Sequence, residues 1–374
     1  MSSLPSKIFN GEKSDYEKPS LFFGQDAGLL DTINKYYPEL WRLYKTLKKL
    51  DWDENEFNYS SCLADFKSCD RATYDMMIKT LAWQWEADSV ASRAVATILG
   101  PVTNATEVWV GYVRINDNEN VHALTYSEIT RGSFDNPEEI LKEILKVRQA
   151  QDRLRCVAEV MAKAHEVSHK YALGQIEATQ EAYNAIFMFI VAMFVLERIQ
   201  FMASFAVTFA ICENGMFQPI GKAVQKIAQD EFEIHVAFGM EVLRIELGTE
   251  RGRAAFEQCR GQILALVEEV IGSELTWVDY LFSEGRELTG MNADLLKRWV
   301  LFNGRAVYTF FDLEREATHQ LPTKNPLPFI INWLDISKNQ ASPQEEQNNQ
   351  YKVNLVQRDD EGADFEAEFG FNFA

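Results

Sequence analysis

Basic side chains are in deficit. The 374-residue chain has 37 Lys and Arg against 56 Asp and Glu, a formal net charge of −19. Nucleic-acid binding needs a basic face, so this charge argues against a nucleic-acid partner. Cysteine is sparse as well. Cys62, Cys69, Cys156, Cys212 and Cys259 are an odd number and contain no C-x-x-C, so neither a disulfide framework nor a thiolate zinc site is indicated. The first twenty residues, MSSLPSKIFNGEKSDYEKPS, lack the apolar centre of a signal peptide, and a reducing cytoplasm is the expected compartment. Strand-rich text and internal repeats are missing too. No membrane span is expected: the one long apolar run carries Glu197 and Arg198 at its middle, where a span tolerates no charge.

That run is the most informative stretch. Ala185 to Leu196 are twelve uninterrupted apolar residues, and Glu197-Arg198 lead into a further apolar segment ending near Cys212. A helix apolar on nearly every side belongs at the centre of a bundle. Glu197 is then a buried carboxylate, which pairs with a neighbouring Arg or Lys, protonates, or holds a metal. The other expected helices cover Asp26 to about Asp51, residues 72–99, Asn104 to Thr130, Pro137 through Tyr171, 218–247, 253–283, and Asn292 to about His319. The fold class is all-α. Residues 1–20 read as a polar arm and 21–337 as one helical domain. Residues 338–374, rich in Gln, Asn, Glu and Asp, read as a disordered tail.

Four of these helices place ligand-type residues inside apolar text. Asp88 lies in the second and Glu197 in the central helix; Glu119 with His122 lies in the third; Glu231 with His235 lies in the helix after the central one. Residues three or four apart share a helix face, so each Glu/His pair can aim at one point. Two carboxylate-bearing helices with two Glu/His-bearing helices form the pattern of ferritin-like bundles with a buried di-metal carboxylate site. Four carboxylates also neutralise two divalent cations, and this donor set suits iron or manganese. A competing motif, His165-Glu166-x-x-His169, matches the zinc-peptidase pattern. The continuation that would supply a third ligand is absent, with Ala172 and Gln175 where Gly and His are needed, and Glu181 sits awkwardly for that role. A solvated helix face explains the motif better.

The residues also resemble the small, radical-generating subunit of class I ribonucleotide reductase, of the tyrosyl-radical kind, over nearly the whole chain. The similarity runs through KPSLFFGQ (18–25), ENVHALTY (119–126), LERIQFMASFA (196–206), IAQDE (227–231), WVDYLF (277–282), NPLPFIINWL (325–334) and SPQEEQNNQY (342–351). The resemblance implies that Asp88, Glu119, His122, Glu197, Glu231 and His235 bind two metal ions, most simply iron, with manganese or a mixed pair as alternatives. It further implies that dioxygen is the oxidant, that Tyr126 carries the radical, and that Phe201, Phe205 and Ile227 shield it. Trp52 and Asp230 would form the inner end of an electron route with His122, and Glu345 and Tyr351 its outer end. A homodimer and a large catalytic partner subunit, docked through the tail's Phe365, Phe369, Phe371 and Phe373, are implied as well. Iron storage by a ferritin-like protein is the alternative that would use the ligands without Tyr126 or the tail.

The chain departs from the family at one point. Where the family has D-E-x-x-H, this chain has Asp230-Glu231-Phe232-Glu233-Ile234-His235, one residue longer. A π-bulge that absorbs the extra residue would keep Glu231 and His235 as ligands and leave Glu233 outside the site. A regular α-helix there, or Glu233 turned inward, would refute this.

Overall fold

In the computed structural model, residues 18–24 and 29–335 are described. Thirteen α-helical segments and no β-strand occur among them; pairing is limited to the isolated bridges Phe22–Thr103 and Leu288–Met291. The all-α expectation holds.

Helix starts follow local chemistry. In α1 (Pro38–Lys49) a proline opens the first turn, Glu39 follows, and Lys48 and Lys49 close the last turn, which suits the helix dipole at both ends. This helix begins later than expected, because the residues before Pro38 form bends; Tyr37 is tied instead by its N–H to Glu107 at 3.1 Å. The short α2 (Cys62–Ser68) leads into α3 (Arg71–Leu99), capped by Asp70 accepting from the Thr73 N–H at 2.9 Å. A 3₁₀ turn through Pro101 reverses the chain into α4 (Thr106–Ser133), which packs along α3. α5 (Pro137–Ile144) and α6 (Arg148–Ala172) are separate helices, because the chain turns at Leu145–Val147.

The central stretch starts at α7 (Gln180–Val195), capped by Thr179, and ends with α8 (Met202–Glu213). Between them Leu196–Phe201 winds as a π-helix, a feature no local residue pattern announces. Gln180–Glu213 is long and apolar enough to cross a membrane, yet its apolar window is wholly buried inside the protein. α7 packs on α6, α10 and α11, and α8 on α3, α9 and α12. It is the hub of the bundle, as expected.

α9 (Gln218–Gln229) and α10 (Val236–Leu247) flank a second π-helix, Asp230–His235. α11 (Glu250–Leu281), capped by Thr249, and α12 (Ala293–Phe310), capped by Asn292, complete the bundle. α12 stops nine residues before the expected His319, replaced by a turn with Asp312 at φ 53° and a 3₁₀ turn at Glu314–Glu316. α13 (Ile330–Leu334) packs on α8 and α9. α4 and α10 approach closely at Gly111, where a β-carbon would come within 2.1 Å of the Phe238 ring. Only glycine fits there.

Candidate metal centre

Asp88 on α3, Glu119 and His122 on α4, Glu197 in the first π-helix, and Glu231 and His235 in the second all have buried side chains. Their donor atoms converge in two overlapping groups. One is Asp88, Glu119, His122 and Glu231; the other is Glu119, Glu197, Glu231 and His235, with the atoms of each group within 4.8 Å of one another. Glu119 and Glu231 belong to both. Two neighbouring cations held there would draw on Glu119 and Glu231 in common.

Electrostatics points the same way. Asp88, Glu119 and Glu197 are buried, and the only cation-forming side chains against Glu119 among the described residues are the rings of His235 and His122, at 3.2 and 3.8 Å. Burying an unpaired carboxylate is costly, so the cluster is built for positive charge. The pairing of Glu197 with a neighbouring cation does not occur: Arg198 donates to Asn303 and lies over the Phe232 ring. Burial, reinforced by Glu119, pushes Asp88 well above the usual carboxylate range, and burial reinforced by Glu231 does the same to Glu197. Glu231 goes the other way. Burial alone would raise it, but the charge on His235 and hydrogen bonds from its neighbours hold it well below the ordinary value.

The histidines are set by their second nitrogens. His122 Nε2 donates to Asp230 Oδ2 at 3.1 Å, while its Nδ1 faces Glu231 Oε1 at 2.9 Å. His235 Nε2 meets Asn118 Oδ1 at 2.9 Å, while its Nδ1 faces Glu231 Oε2 at 2.9 Å. In both, Nδ1 points into the cluster. Burial disfavours a charged ring, but the surrounding acceptors win, raising His122 well above its ordinary value and His235 to about 9. Six donors of oxygen and imidazole nitrogen with unbalanced buried charge fit a pair of divalent ions.

The extra residue sits where the π-helix widens. Asp230–His235 is π-helical, Glu231 and His235 both face the cluster, and Glu233 is only half-buried and outside it. The bulge that was expected on spacing is present.

Trp52 stacks on His122 with ring centroids 5.9 Å apart, and its Nε1 donates to Asp230 Oδ2 at 2.7 Å. Trp52, Asp230 and His122 therefore form one continuous chain. Tyr126, one turn past His122, is 1% exposed and its hydroxyl faces the Asp88 carboxylate. Burial and then Asp88 push that phenol well above its ordinary pKa. Phe201, Phe205 and Ile227 are all buried; the Phe201 and Phe205 rings stack at 5.6 Å, and Trp83 meets Phe201 edge-on at 5.0 Å. Glu345, Tyr351 and the tail phenylalanines lie outside the described residues.

The peptidase motif does not assemble. His165, Glu166 and His169 are exposed on α6, Glu166 pairs with Lys170 at 2.5 Å, and Glu181 is exposed on another helix. Two features escaped sequence reasoning. Asn118 joins the centre, although an Asn beside a Glu on a polar helix turn carries no signal of its own. A buried ion pair, Arg153 with Glu274 at 2.6 Å, lies with the guanidinium 3.7 Å from the Trp83 ring centre and 4.4 Å from that of Trp277.

Fold and site together define a ferritin-like helical protein with a buried dinuclear carboxylate centre. The family profile described as "Ribonucleotide reductase, small chain" matches residues 31–316. The chain belongs to that family. It is 24% identical over 373 residues to the ribonucleoside-diphosphate reductase subunit beta of Buchnera aphidicola, covering 96% of this chain and 97% of that one. Among solved structures it resembles the ribonucleotide reductase R2 subunit from Clostridium botulinum, with TM-score 0.76, 19% identity, and coverage of 88% and 98%. It also resembles dimanganese(II)-NrdF of Streptococcus sanguinis, with TM-score 0.63, 14% identity, and coverage of 82% and 98%. The function is that of the small subunit of a ribonucleoside-diphosphate reductase, and neither iron storage nor peptidase activity is favoured.

Proposed function

We propose that this chain generates a radical on Tyr126 and passes it to a large catalytic subunit, where ribonucleotides are reduced. Asp88, Glu119, His122, Glu197, Glu231 and His235 would hold two metal ions. When bound, and supplied with dioxygen, these ions provide the oxidising power needed to remove an electron from a phenol. The donor set suits iron and equally manganese.

The chain's own residues do the rest. Tyr126 loses one electron and its hydroxyl proton, and Asp88, the carboxylate acting most strongly on that phenol, is the natural acceptor of the proton. Phe201, Phe205 and Ile227 keep water and reductants away from the oxygen-centred radical. The hole then leaves through His122, Asp230 and Trp52. Asp230 holds the Trp52 indole proton at 2.7 Å, so it can take up that proton as the indole is oxidised and return it afterwards. The observation that carries this reading is the unbroken hydrogen-bonded path from His122 to Trp52 beside a buried tyrosine whose hydroxyl faces Asp88. A storage protein has no use for either.

The outer end of the route would run through Glu345 and Tyr351, and the Phe-spaced acidic tail would order on the large subunit. Support comes from the tail's root: Gln229, the neighbour of Asp230, donates to Trp333 O at 3.1 Å and to Asp335 O at 3.2 Å. A homodimer in the cytoplasm is the expected working form. The test is ferrous iron and air, followed by visible absorption and electron paramagnetic resonance. A phenoxyl signal is expected in the wild type and none in Tyr126→Phe; an unchanged signal in the variant would refute the assignment.

A further inference from the structure

Asn118 is buried, one residue before Glu119, and its side-chain amide reaches both halves of the centre. Its Nδ2 lies 3.1 Å from Asp230 Oδ2, and its Oδ1 lies 2.9 Å from His235 Nε2. These two contacts fix each other. A carboxylate oxygen can only accept, so the amide nitrogen must face Asp230 and the amide oxygen must face His235. An amide oxygen can only accept as well, so His235 Nε2 must carry the proton. Its Nδ1 is then the nitrogen left to bind a cation, and it points at Glu231 and Glu119, 2.9 and 3.2 Å away.

We infer that Asn118 is a positioning residue that fixes the His235 tautomer and ring angle, and ties the second cation position to the Trp52–Asp230–His122 path. His122 has its own acceptor in Asp230. Among the described residues His235 Nε2 meets Asn118 alone, so its orientation depends on Asn118. The same Asp230 oxygen receives Trp52, His122 and Asn118. The two histidines are therefore linked through one carboxylate and one amide, without either touching the other's ligand atom. Outer hydrogen bonds of this kind orient metal-binding imidazoles, and their loss weakens affinity roughly 10- to 100-fold. The loss here falls on one position. The group containing His122 keeps its support, and the group containing His235 does not.

This inference rests on the two-metal reading above. The test is Mn(II) titration of the metal-free full-length protein, followed by equilibrium dialysis and electron paramagnetic resonance. Wild-type protein should take up two Mn(II) per chain with the spin-coupled signal of a neighbouring pair. Asn118→Leu, close in size but unable to hydrogen-bond, should fill the first position normally and the second roughly 10- to 100-fold more weakly. At intermediate Mn(II) it should show the hyperfine-split signal of an isolated ion. Asn118→Gln keeps both an acceptor for His235 and a donor for Asp230 and should recover the coupled pair; this variant also decides the matter if the leucine protein does not fold. Equal weakening at both positions in Asn118→Leu, no weakening at all, or loss of the second ion in Asn118→Gln would overturn the inference. If wild-type protein binds fewer than two ions, the two-metal reading itself fails.

Discussion

Replacing Glu197 by Gln should stabilise the metal-free protein, and the gain should depend on pH in a fixed way. Glu197 is buried, and burial with the Glu231 charge beside it raises its pKa well above the ordinary 4.5. Folding without metal therefore requires Glu197 to take up a proton. For a group with a raised folded-state pKa, its contribution is fully present below the unfolded value and is lost as pH rises towards the folded value. Between the ordinary 4.5 and the raised folded-state value, each pH unit costs about 1.4 kcal/mol. Glutamine has the same shape and no charge to neutralise. The variant should match wild type near pH 4.5 and exceed it by a margin that widens as pH rises above that value. Urea unfolding of both metal-free proteins across this range measures the difference. The variant should also bind metal less well, because a charged donor is gone. A stability difference that stays constant with pH, or one that shrinks as pH rises, would refute the account of Glu197 as a buried proton acceptor.

Metal affinity itself should climb with pH, because loading displaces the Nδ1 protons of His122 and His235; for His235 the rise should level off above about pH 9. Mn(II) titrations at several pH values check this, and a flat profile would count against both histidines as ligands. Glu274→Ala should destabilise the fold by about 3–5 kcal/mol, since it leaves Arg153 buried between two tryptophans without its counter-charge. A loss under about 1 kcal/mol in denaturant unfolding would show that the guanidinium finds another partner. Removing residues 352–374 should abolish ribonucleotide reduction with the large subunit while leaving the Tyr126 signal intact. Unchanged turnover would exclude the tail as the docking segment.

Much of this centre was readable in the sequence, for a definite reason. A Glu/His pair at helical spacing inside apolar text is conspicuous, and four helices carry such polar intrusions in order. The one-residue excess between Glu231 and His235 was readable too, because ligands on both sides bracket it. The π-helix at Leu196–Phe201 was not. A helix buried on every side has no polar stripe, so an added residue leaves no phase shift in the hydropathy pattern. Asn118 was hidden for the opposite reason: on polar helix text, one asparagine looks like another until its neighbours are known. The early end of α12 and late start of α1 reflect tertiary ties, such as Glu107 to the Tyr37 N–H, that no local pattern encodes.

The second π-helix has a consequence for the architecture around it. One supernumerary residue turns everything beyond it by about 100° about the helix axis. α9, ahead of that point, packs on α2, α4, α8 and α13, whereas α10, beyond it, packs chiefly on α1, α7 and α11 and keeps only α4 in common, at Gly111. A single insertion thus lets one continuous rod present its oily side to two different sets of neighbours, and the swivel between them falls on the residues that face the cations.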